Sequence, residues 1–206
     1  MIELNATISG INGNLTIQVD RRNKISINCK YASRSDYSRP SCGIISNSGM
    51  IQLRDTNGQI EEYANKKWLK GELPVTITLK DTLAKYSQNV AVMKTRNWQY
   101  DTDNRIAIVN IKDDLEDWQQ IQSSRIPLRN ETTAYEVYQI LKNKTPSKYS
   151  FENLNKNTED YLFSIAVMYP FLEEGSLWSQ WTKFCEAFGV YIFKSALGEV
   201  KCARDY

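Results

Sequence analysis

Through the first part of the chain apolar residues stand at every second position, from Ile2 to Ile8, then at Leu15, Ile17 and Val19, then at Ile25 and Ile27. A period of two places one row of side chains on a buried face, so three short strands are expected. Asn12-Gly13, between the first two, accepts the positive φ angles of a tight hairpin turn. Lys30 to Ser41 has no periodic apolar residues and reads as a polar, aromatic loop leading into Cys42-Gly43-Ile44-Ile45. Met50, Ile51 and Leu53 mark another strand, followed by the turn signal Asp55-Thr56-Asn57-Gly58. Ile60, Tyr63, Ala64 and Trp68 form one stripe of a short helix that Gly71 ends. Behind Pro74, Val75, Ile77 and Leu79 alternate again. Val90 to Met93 and Ile106 to Ile111 are the next β runs, with Trp98-Gln99-Tyr100-Asp101 and the polar Thr102 to Arg105 read as loop between them.

After Ile111 the pattern turns helical. Asp113 and Asp114 favour the positive end of a helix dipole, and Leu115, Trp118 and Ile121 recur every three residues behind them, up to the break at Pro127. Thr133-Ala134-Tyr135-Glu136 fits a capping box, with Val137, Tyr138, Ile140 and Leu141 continuing an apolar face. Lys142 to Asp160 is rich in Asn and Lys, holds Pro146, and is expected to be an exposed excursion. Leu162 to Met168 reads as a strand. Ser176 caps a last helix carrying Leu177, Trp181, Cys185 and Phe188 on one face, with Gly189 as its C-cap. Val190 to Phe193 and Glu199 to Ala203 flank Leu197-Gly198 as a final hairpin, and an ending so close to a strand suggests an architecture continued by something else. The expected fold class is α+β: a small β-barrel-like lobe, residues 1–111, followed by an α/β lobe with three helices, residues 112–206.

Composition narrows function without naming one. The 206 residues include 41% hydrophobic and 24% charged side chains, the balance of a globular chain large enough for a core without disulfides or metal. Lys and Arg number 26 against 24 Asp and Glu, and a net charge of +2 gives little field to gather nucleic acid or an anionic membrane. There are 0 histidines, which removes Ser-His-Asp and Cys-His nucleophiles, HExxH zinc sites and zinc deaminase signatures. Cys29, Cys42, Cys185 and Cys202 form no CxxC pair and read as free thiols rather than a metal or redox motif. No glycine-rich phosphate loop is present, so no cofactor is expected. Neither a signal peptide nor a membrane span is visible, and the expectation is a soluble protein made in a cytoplasm.

Three acidic clusters are candidates for carboxylate chemistry. Asp101 and Asp103 sit in a turn, where aspartate bonds its own backbone, and Asp113, Asp114 and Asp117 sit at a helix start. Glu173-Glu174 before Gly175 reads as a solvated turn, leaving a glycoside hydrolase that uses carboxylates alone as the third reading of function. Aromatic residues make up 11% of the chain, and an exposed ring can stack on sugars, bases or a protein partner. Trp68, Trp118 and Trp181 fall on helical stripes and are expected in the core. Tyr31, Arg34, Tyr37, Arg39, Trp98 and Tyr100 lie in loop-like stretches and are the candidate partner-contact residues. Tyr31, Tyr37 and Trp98 would supply the stacking platform of a carbohydrate- or receptor-binding module, the second reading.

Three stretches resemble the tail hub and baseplate proteins of tailed bacteriophages, including the N-terminal part of tail-associated hub proteins of gut phages. Cys42 to Asp55 with the Tyr63 to Gly71 helix resembles their strand, turn and short helix across a small β-barrel. Trp98 to Asp101 and Ile106 to Ile111 running into Asp113-Asp114-Leu115 resembles their strand that ends in an Asp-Leu helix start. Thr133 to Leu141, with Gly175-Ser176-Leu177-Trp178, the Cys185 helix and the terminal hairpin, resembles their inserted α/β domain. The resemblance implies a non-enzymatic virion component, assembled in the bacterial host cytoplasm, whose partners are copies of itself, as trimer or hexamer, and other tail proteins.

Overall fold

The computed structural model describes residues 2–9, 14–18, 24–28, 42–55, 58, 60–61, 72–129, 131–167 and 171–204. The chain divides into two compact units that interleave in sequence: Met1–Cys29, Asn47–Asp114 and Ala196–Gly198 form one, and Lys30–Ser46, Leu115–Ser195 and Glu199–Tyr206 the other. The fold is α+β.

The first unit is a curled antiparallel sheet. Its strands are β1 (Ile2–Ser9), β2 (Asn14–Gln18), β3 (Lys24–Asn28), β5 (Ser48–Arg54), β6 (Pro74–Asp81), β7 (Tyr86–Asp101) and β8 (Ile106–Lys112), with β4 (Gly43–Ile45) belonging to the second unit. They pair in the order β2-β1-β6-β7-β8-β5-β3. That order dictates the curl. The edges of a flat seven-stranded sheet would stand about 29 Å apart, whereas Gln18, ending one edge strand, and Lys24, starting the other, are close enough in the chain to be at most roughly 22 Å apart. The expected hairpin of the first two strands is present, with Ser9 opposite Asn14 and Asn5 opposite Gln18. Alternating residues Ala6, Ile8, Ile51, Leu53, Val75, Ile77, Met93, Val109 and Ile111 fill the inner face, and Ile60 packs against them. Of the short helix expected at Ile60 to Lys70, Tyr63, Ala64 and Trp68 lie outside the described residues, as do the loop Lys30 to Ser41 and Asn12-Gly13.

The second unit has helices α1 (Ala134–Lys144), α2 (Lys156–Phe163) and α3 (Leu177–Phe188). Its sheet is β14 (Val200–Ala203), β13 (Tyr191–Lys194) and β4, with β13 antiparallel to β14 and parallel to β4. Two short antiparallel pairs complete it, β9 (Gln122–Ser123) with β12 (Gly175–Ser176) and β10 (Ile126–Pro127) with β11 (Phe171–Leu172). Local signals set the helix ends as read: the capping box of Thr133 and Glu136, Ser176 accepting from the Ser179 amide, and Gly189 at φ 65. The core is aromatic. Trp118 and Trp181 are fully buried and stack at 5.9 Å, and Tyr138, Tyr149, Phe151 and Phe184 close around them.

Three expectations are corrected here. Leu115 and Trp118 lie on a 3-10 helix, Asp114–Gln119, because a repeat of three matches three residues per turn rather than 3.6. Lys142 to Asp160 is no exposed excursion: α1 runs on to Lys144, Tyr149 is buried, and Asn155 caps α2 through the Thr158 amide. The strand expected at Leu162 to Met168 instead begins as the last turn of α2, after which Ala166 makes a single bridge to Thr133.

Candidate partner-contact site

Of the six residues proposed for partner contact, Tyr31, Arg34, Tyr37 and Arg39 lie outside the described residues. Trp98 and Tyr100 are not in a loop; they belong to β7, a strand of 16 residues. Their facing follows from two bulges. An extra residue at Val90 and another at Arg96 each shift the pairing by one, so Ala91, Met93 and Thr95 face inward before Arg96, and Trp98 and Tyr100 face inward after it. Both rings pack against the core of the first unit. The Tyr100 hydroxyl donates to Asp55 Oδ2 at 3.2 Å, and the same oxygen accepts the Glu61 amide at 3.0 Å. Desolvation, then the negative charges of Asp55 and Glu61, raise the Tyr100 phenol above its ordinary value. The Trp98 indole N–H is buried without a hydrogen-bond partner among the described residues. These aromatics hold the inner face together and offer no flat exposed platform for a sugar.

The Arg96 bulge also organises charge. Arg96 pairs with Glu72, and Lys94 lies 3.5 Å from Glu72 and 3.9 Å from Asp114. Asp113 accepts the Asn47 amide through its side chain and donates its own amide to the Asn47 carbonyl. The acids at the end of β8 therefore serve ion pairing and backbone closure. Among the described residues no three Cys, Asp or Glu side chains stand close enough to hold a metal ion, and no helix is long and apolar enough to cross a membrane.

Exposed apolar surface gathers on one hairpin. Seven large apolar residues are exposed among those described, and Leu79, Leu83, Tyr86 and Val90 lie on β6, β7 and the turn between them. Leu83 is 85% exposed and Tyr86 56%. Leu79 shares the face of Ile77 and pairs across to Leu4 of β1, so the apolar inner row continues beyond the core toward the turn. Leu197, 70% exposed, belongs to the same unit, beside Gly198. Gly198 has φ +84, and a Cβ there would meet Val92 Cβ at 3.1 Å, so glycine is required for this loop to lie on β7. Sequence reading missed Leu83 because an apolar residue in a turn breaks no periodicity; its signal was a leucine where polar residues are usual.

The second unit carries the opposite shape. A pocket of about 360 Å³ is lined by Leu128, Val137, Val167, Leu172, Phe184 and Phe188, with Ala187 also on its wall. Glu173 and Lys183 line it as an ion pair with largely exposed side chains, so the charges stand at its mouth. Lys183 is the main reason the Glu173 carboxyl is held below its ordinary value. Gln180, buried, donates to the Glu173 carbonyl at 2.8 Å and fixes this rim to α3.

No protein-family model matches the sequence, and no curated protein matches it. Solved structures do. The 43 kDa tail protein of prophage MuSo2 from Shewanella oneidensis superposes on 99% of this chain with a TM-score of 0.58 at 11% identity. The tail protein from Neisseria meningitidis MC58 superposes on 98% with a TM-score of 0.53 at 10% identity. The chain shares the fold of these two proteins. A chain of the Francisella PdpA-VgrG complex shares it over 98% of this chain, with a TM-score of 0.57 at 13% identity. This chain spans 55%, 51% and 31% of the lengths of those three proteins.

Proposed function

We propose that this chain is a non-enzymatic structural component of a bacteriophage tail, of the hub or baseplate type, assembling into a symmetric ring with copies of itself and with other virion proteins. The observation that supports it is the tail-protein fold running through 98–99% of the chain rather than one lobe. The residues agree. A chain with 0 histidines has no imidazole for general acid–base work, and Asp101, Asp113, Asp114, Asp117 and Glu173 are engaged in a turn, a backbone contact and ion pairs. Among the described residues, four of the seven exposed large apolar side chains lie on the β6–β7 hairpin, as in a contact surface. On this reading the protein is assembled in the host cytoplasm and resides in the virion. Disrupting the gene in the phage that encodes it tests this: particles with filled heads and absent or defective tails, restored by the wild-type chain in trans, are expected. Normal infectious particles lacking the chain by mass spectrometry would contradict it.

A further inference from the structure

The first unit exposes an apolar side chain at a hairpin tip, and the second unit carries an apolar pocket. The β6–β7 turn, Thr82 to Lys85, is closed by its own aspartate: Asp81 Oδ1 accepts the amides of Leu83 at 3.0 Å and Ala84 at 3.3 Å, and Lys85 takes φ 51. It holds Leu83 at the tip with Tyr86 behind it. The β7–β8 turn, at the other end of β7, repeats this construction with Asp101, Asp103, Asn104 and Arg105, and places no apolar residue at its tip. The shared turn therefore needs no leucine for its geometry, and Leu83, 85% exposed, is not part of the core among the described residues. The pocket's volume of about 360 Å³ admits one or two side chains, at the small end of ligand cavities. Its walls are apolar, and its mouth offers one acid and one base, Glu173 and Lys183. The tip likewise carries both signs, with Asp81 held in its charged form by the turn amides and Lys85 two residues after Leu83. Two mixed-charge rims can pair in one register around an apolar centre.

We propose that Leu83 of one copy inserts into the pocket lined by Val137, Phe184 and Phe188 of the next copy. The contact rests on the assembly reading above and gives it a surface. It is heterologous, a knob on one unit entering a pocket on the other unit of a neighbour, which is the kind of interface that generates a ring when the rotation closes.

Leu83→Cys and Ala187→Cys, made separately in the full chain, test it. Each variant and an equal mixture are treated with a short bis-maleimide, with the unsubstituted chain as control for native cysteines. A cross-linked dimer severalfold stronger in the mixture than in either variant alone is expected, and Leu83→Asp, at an exposed position, should weaken association by roughly tenfold or more without changing the Tm measured at concentrations below assembly. Wild-type assemblies in native mass spectrometry with no mixture-specific dimer, or with Leu83→Asp assembling normally, would overturn the knob while leaving the assembly reading in place. A dimer formed by Leu83→Cys alone would overturn it too, by placing two tips together. A wild-type chain that stays monomeric at every concentration would remove both.

Discussion

Asp81 and Asp101 act at the scale of single residues, each folding its carboxylate over the amides of its own turn. Hydrogen bonds from the Ala84 and Leu83 amides lower the Asp81 carboxyl, and the Asn104 side chain and amide lower Asp101. A carboxyl lowered in the folded state contributes stability that is fully present above its unfolded pKa and is lost as pH falls through the folded value. Both tips are therefore expected to loosen only below about pH 4, seen as smaller hydrogen-exchange protection factors, relative to the intrinsic exchange rate at the same pH, at the Leu83 and Asp103 amides. Protection factors that stay the same between pH 6 and pH 3 would contradict the turn chemistry. Burial governs the thiols in the other direction. The Cys202 thiol is pushed up to about 12 by desolvation, and Cys185 is raised well above its ordinary value by desolvation and by neighbouring Cys202 and Cys42. Both should resist alkylation at pH 8 in the native protein and react on unfolding, as peptide mass spectrometry reads directly. Their free state follows the sequence reading; Cys42 is half-buried and Cys29 lies outside the described residues.

Helices and strands differ in how plainly the sequence announces them. Thr133 with Glu136, Ser176 and Gly189 were legible because a cap is a local bargain between a side chain and the nearest orphan amides or carbonyls. Removing one tests it: Thr133→Ala should cost about 1 kcal/mol of stability in denaturant unfolding, whereas an unchanged midpoint would mean that tertiary contacts alone hold the start of α1. The length of β7 was not legible. Val90 and Arg96 each add a residue opposite the partner strand, so alternation breaks twice, and Trp98 and Tyr100 read as loop although they face the core. β4 escaped in its placement for another reason: its partner, β13, lies well over a hundred residues away, beyond any local pattern. In α2 the inward positions are Thr158 and Leu162, too little apolar signal to stand out from an Asn- and Lys-rich stretch.

The whole molecule is built on two separate cores with different logic. The curled sheet fills its inner face with aliphatic side chains, while the second unit surrounds Trp118 and Trp181 with other aromatic rings. Trp181 also donates its indole N–H to Thr145 Oγ1 at 3.1 Å, and that hydroxyl donates to the Leu141 carbonyl at 2.9 Å. Trp181→Phe keeps most of the ring and should be tolerated better than Trp181→Ala, which should cost about 3–5 kcal/mol by opening a cavity, measured by thermal unfolding. The overall class, β strands first and helices after, was readable from periodicity. The interleaving of the units was not, because it depends on pairings between distant segments. Nor was the gathering of exposed leucines and tyrosine on one hairpin, since exposure is a property of the folded surface. That surface is the proposed contact between copies. Negative-stain electron microscopy of the purified chain, across a concentration series with particles counted by symmetry class, tests the central claim most directly: closed rings of three-fold or six-fold symmetry are expected, and dispersed monomers at every concentration would contradict it.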